Sequence, residues 1–199
     1  MKKKSRTWII VLVVLAVIVL GTIRWGIRTY NNFVSLEEGI EGQWANVENV
    51  YQRRADLIPN LVATVKGAAD FEQETLQNVI EARAKVGQMN IEGAPTEAQM
   101  QSFQANQDAL SSALSRLLVV VERYPDLKAV QAFRDLQVQL EGTENRIAVE
   151  RNRYNEAARG YNTARRRFPA VLIAGLFGFE DKGYFESKPG ADEPPQVEF

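Results

Sequence analysis

The hydrophobic pattern of this chain changes its period once. From Thr7 to Ile23 seventeen residues carry no charge and are nearly all aliphatic; beyond Tyr30 the apolar residues fall three and four apart. The first pattern predicts a helix surrounded by lipid. At a rise of about 1.5 Å per residue it reaches about 25 Å, near the short limit for crossing a bilayer. The second predicts amphipathic helices that bury one face. Phe33, Leu36, Ile40, Trp44, Val47, Tyr51 and Ile58 form the first such face, with no Pro or turn cluster between it and the span. Pro59 predicts a turn or kink there. A second helix runs through Leu61, Val62, Val65, Ala69, Leu76, Val79 and Val86 to about Gln88, with Gly67 and the capping-box pattern Asp70–Gln73 as points where it splits.

Asn90–Pro95 reads as a loop, and Thr96-Glu-Ala-Gln99 as a capping box that opens a third helix. That helix carries Met100, Phe103, Gln107, Leu110, Leu114, Leu117, Val121 and Tyr124 and stops at Pro125-Asp126. In the fourth, Phe133, Leu140, Ile147, Tyr154, Tyr161 and Phe168 recur every seventh residue, a coiled-coil-like seam. Sustained alternation and hairpin dipeptides are missing. The short connections make neighbours antiparallel. The expected fold is all-α: an antiparallel up-and-down four-helix bundle of long helices preceded by an N-terminal transmembrane helix.

Charge refines the picture at the span. Lys2, Lys3, Lys4 and Arg6 precede it, Arg24 and Arg28 follow, and Trp8 and Trp25 sit where an aromatic belt forms. The run ends Val19-Leu20-Gly21-Thr22-Ile23-Arg24, without a small-x-small cleavage site, so we read a retained single-pass membrane anchor. More basic residues before the span than after it favour the helical domain on the non-cytoplasmic side.

From Thr29 onward 18 basic face 25 acidic residues, a net charge of −7, so nucleic acid is not an expected partner. The chain has no cysteine and no histidine. Disulfides, thiol catalysis, Ser-His-Asp triads and the usual zinc and di-iron sites are therefore excluded. No catalytic residue, cofactor or metal site is expected. An enzyme would need paired carboxylates.

Several ordered motifs carry a resemblance. Tyr51–Gly67, Phe71–Leu76 and Glu81–Arg83, with Tyr30–Leu36 and Gln43-Trp44 upstream, are similar to the LemA family. Leu114–Leu117, Tyr124–Lys128, Glu141–Ile147, Arg153–Asn155 and Arg167–Phe179 continue it downstream. The resemblance covers roughly residues 5–185. It implies a bacterial single-pass membrane protein with an antiparallel helical bundle, and no agreed activity or catalytic residues.

With this topology the fourth helix returns to the membrane. Arg165, Arg166, Arg167 and the apolar run Phe168–Phe179 arrive there, too short to span. Two outcomes are open: the segment lies in the interface, with Trp8, Trp25, Arg165–Arg167, Phe168, Leu172, Phe177 and Phe179 against lipid, or it caps the bundle. The expected organisation is an anchor over 1–28, a bundle over 29–168, the apolar segment 169–181 and a disordered tail 182–199. Arg53, Arg54 and Asp56 fall at the expected membrane-distal turn, either as a solvated turn network or as a partner-binding tip. The leading functional reading is a membrane-anchored, non-catalytic scaffold or adaptor. Its partners would be the lipid bilayer, a membrane or envelope protein, or further copies of itself. The alternative is a carboxylate-based envelope hydrolase.

Overall fold

A computed structural model describes residues 2–67, 72–91 and 93–186. It contains six helices and, among the described residues, no strand: α1 (Lys2–Lys66), α2 (Gln73–Gly87), α3 (Glu97–Val121), α4 (Pro125–Ala129), α5 (Gln131–Arg166) and α6 (Ala170–Phe177). The tail beyond 186, Ala69, Asp70 and the side chains of Lys2–Lys4 and Arg6 lie outside the described residues.

α1 is 65 residues long and continuous from span to bundle, about 98 Å at the ordinary helical rise. Every large apolar side chain from Trp8 to Leu20 is exposed, as a lipid-facing helix requires. The expected break at Pro59 is corrected: α1 passes through it and ends at Lys66. Proline has no N–H to give the carbonyl four residues back, here that of Ala55. Arg83 of α2 fills the vacancy, donating from Nε to the Ala55 carbonyl at 3.0 Å. Ile58 and Leu61, on either side of the proline, are fully buried, so packing also holds the helix together there.

α2 descends beside the upper part of α1, α3 ascends again and α5 runs back down nearly the whole bundle. The Thr96 capping box forms as expected: Thr96 Oγ1 accepts from the Gln99 N–H, and the Thr96 N–H donates to Gln99 Oε1. At the start of α2 Glu72 is the N-cap residue without a capping bond. Its carboxylate instead accepts from Thr75 and pairs with Arg123.

The interior divides in two. A distal core gathers Ile58, Leu61, Val65, Val79, Leu117 and Phe133. A proximal core, nearer the span, gathers Phe33, Trp44, Phe103, Tyr154, Tyr161 and Phe185. Between them lies a polar layer of Arg54, Gln107 and Thr143, all buried. The heptad seam of α5 stays inside from Phe133 to Tyr161, but Phe168 leaves it and is 82% exposed.

Candidate functional site: the membrane-proximal end

The polar layer removes one of the expected partner-binding residues. Arg54 is 3% exposed and both terminal nitrogens of its guanidinium bond within the bundle. Nη1 donates to Ser111 Oγ and Glu144 Oε2, and Nη2 to the backbone and side-chain oxygens of Gln107. The Tyr51 ring lies 5.3 Å from its charge centre. Arg53 and Asp56 are exposed, and Asp56 accepts from Gln52 one turn earlier. Because α1 runs on to Lys66, all three sit along the bundle, below its distal end.

At the other end α5 delivers the chain to the foot of α1. Tyr161 meets Phe33 edge-on, and Arg165 and Arg166 follow one turn below. The chain then reverses at 167–169 and α6 climbs alongside α1. Ile173 lies beside Gly26, where a Cβ on the glycine would stand 3.8 Å from the isoleucine Cδ1. Phe177 packs on Tyr30 at 4.8 Å, and Phe179 contacts both Tyr30 and Phe33. The end of the apolar segment is thus next to the anchor, as the topology required. α6 covers the foot of the proximal core with Ala170, Ile173 and Ala174. On its outer side Val171, Leu172, Leu176 and Phe177 are exposed.

The arginines expected against lipid divide. Arg165 donates from Nε to the Phe179 carbonyl at 2.7 Å and pairs with Asp181 at 2.9 Å. Arg166 also reaches Asp181. Both tie α5 to the segment after α6. Arg167 is exposed, as are Arg24 and Arg28 on α1.

The first residues of the expected disordered tail are corrected. Residues 179–186 run extended along the groove between α3 and α5, and Phe185 is a core residue. A helical bundle offers an extended strap no strand to pair with. Side-chain amides take that place. Asn162 donates to the Lys182 carbonyl and accepts its N–H; Asn155 does the same for Phe185, and Gln104 for Glu186. Tyr154 donates to the Gly183 carbonyl, whose own N–H reaches the Pro95 carbonyl. Gly183 is required: a Cβ there would stand 2.9 Å from Glu97 Cα and from Met100 Cβ. Lys182 closes the lower end, 2.6 Å from Glu37 and over the Tyr161 ring. The missed signal was present in the sequence, since Asn155 and Asn162 lie one heptad apart beside the tyrosine seam.

A cleft of about 340 Å³ opens between α1, the end of α2 and α3, lined by Glu48, Tyr51, Arg83, Met89 and Gln107 among others. Desolvation pushes the Glu48 carboxyl above its usual range, with the Trp44 indole acting the other way. Glu48 is the single carboxylate in its lining, so the cleft offers one half of an acid–base pair.

Comparison with known proteins agrees with this picture. The chain is 28% identical over 189 residues to magnetosome protein MamQ of Magnetospirillum gryphiswaldense, covering 84% of this chain and 70% of that protein. It is 28% identical over 184 residues to magnetosome protein MamQ 2 of Paramagnetospirillum magneticum, covering 83% and 67%. Protein LemA of Metamycoplasma hominis is 23% identical over 134 residues, 67% of this chain and 58% of that protein. The family model described as LemA family matches residues 43–199, most of the bundle and all that follows it, so the chain belongs to the LemA family.

Proposed function

We propose that this protein is a membrane-anchored, non-catalytic scaffold or adaptor of the bacterial envelope, with its bundle on the non-cytoplasmic side. The observation that carries this reading is the unbroken α1. One helix is both the membrane span and a central stave of the bundle, so the domain stands on its anchor as a post without a flexible linker. From Arg24 to Lys66 the rise is about 63 Å, which holds helical surfaces well clear of the lipid for a second protein or another copy. The magnetosome relatives are named for an assembly and not for a reaction, which supports the same reading.

Cross-linking in intact cells, followed by detergent extraction and affinity capture of the full chain, tests it. A reproducible partner at fixed stoichiometry is expected. No partner, alongside turnover of an envelope substrate that is lost in Glu48→Gln, would favour the hydrolase instead.

A further inference from the structure

α6 is apolar on every side, and protein covers only half of it. Ala170, Ile173 and Ala174 pack inward, whereas Leu172, Leu176 and Phe177 are 63%, 76% and 56% exposed. Phe168, at the turn before the helix, is the most exposed large apolar residue described, at 82%. Exposed apolar residues on the bundle helices, such as Val119 on α3 and Val138 on α5, are isolated by contrast. An eight-residue helix without a polar face needs cover on both sides.

The level of this patch identifies the cover. The charge-free run of α1 ends at Ile23; Ile173 lies beside Gly26 and Phe177 beside Tyr30. Those contacts place α6 about 4 to 11 Å along α1 from the end of the apolar run. The interfacial layer of one leaflet is roughly 5–8 Å thick, and surface helices bury their apolar faces about 5–10 Å deep in it. Phe168 precedes α6 and is lower still. Exposed Arg167 adjoins the patch, and exposed Arg24 and Arg28 stand at the same level on the opposite face of α1, so positive charge at this depth suits lipid phosphates.

We propose that the α5–α6 turn and the outer face of α6 form a second, monotopic contact with the bilayer, in the leaflet from which α1 emerges. Phe168 is the deepest residue, followed by Leu172 and then Leu176. The bundle is then fixed to the membrane at two points, which suppresses swivelling about the single span. This inference rests on the membrane location of α1 and is independent of the scaffold role.

The absence of cysteine from the chain makes single labels specific. Full-length Phe168→Cys, Leu172→Cys, Leu176→Cys, Val138→Cys and Leu15→Cys variants would each carry an environment-sensitive fluorophore. They would be reconstituted in liposomes of phosphatidylcholine and phosphatidylglycerol, with and without lipids brominated near the headgroup or, for the mid-span Leu15→Cys, deep in the acyl chains. The expected result is blue-shifted emission quenched by bromine at 168, 172 and 176, decreasing in that order, with aqueous emission and no quenching at 138. Water-like emission at all three sites overturns the proposal. So does emission shielded from water yet insensitive to bromine, the signature of a protein partner or second copy. Leu15→Cys separates the two levels: quenching there alone sinks only the second contact, while no quenching anywhere sinks the membrane location as well.

Discussion

Tyr154 and Tyr161 stand one heptad apart on α5, both fully buried, and differ in what their hydroxyls meet. Tyr154 donates to the Gly183 carbonyl at 3.1 Å, whereas the Tyr161 hydroxyl has no hydrogen-bond partner among the described residues. Tyr154→Phe is therefore expected to cost about 1 kcal/mol, and Tyr161→Phe to be neutral or stabilising, in denaturant melts of the full chain in detergent. Equal losses would contradict the difference in bonding. Titration gives the same pair a second test. Burial, reinforced by Glu37, pushes the Tyr161 phenol up to about 12 from its ordinary 10. The folded state then keeps a proton that the unfolded state releases, so stability falls as pH rises from 10 toward 12. The fall should be shallower in Tyr161→Phe. Arg54 teaches a related lesson. It lies three residues after Tyr51 and four before Ile58, so the apolar period itself placed it on the buried face. Reading Arg53-Arg54 as a charged pair at a turn obscured that phase. Buried among polar partners between two apolar cores, it pins the register of α1 against α3 and α5.

At the scale of elements, the proline in α1 and the strap after α6 are each held by a side chain standing in for a peptide group. Arg83 donates where Pro59 lacks an N–H. Arg83→Ala should lower stability by about 1 kcal/mol, the net worth of a part-buried hydrogen bond. Pro59→Ala restores the helical N–H, so the same arginine change should cost far less in that background; identical costs in both would refute the compensation. For the strap, Asn155→Ala leaves the Phe185 N–H and carbonyl without their partners. Hydrogen exchange over 182–186 should accelerate while the distal core keeps its protection; an unchanged strap would show that Phe185 packing alone holds it. These are the places where local reading fell short. The capping box, the loop before it and the heptad seam depend on neighbouring residues and were legible. A proline tolerated through a residue 24 positions away, and an extended segment paired by amides 20 to 82 positions away, depend on tertiary contacts that no window displays.

The whole molecule follows from continuity. Antiparallel connections returned the end of α5 to the anchor, which the sequence already implied. Which face of α6 the bundle would cover was not legible, because the helix is apolar all round. The larger consequence is that anchor and bundle share one unbroken helix, α1, and the proposed scaffold role rests on that helix behaving as a straight post. Double electron–electron resonance between spin labels at Arg28→Cys and Lys66→Cys, in full-length protein held in nanodiscs, measures it directly. The 38 helical steps from 28 to 66 correspond to about 57 Å along a straight helix. A single narrow distance distribution near that value is the predicted result. A broad distribution, or a distance shortened by a bend at Pro59, would contradict the post and the scaffold built on it.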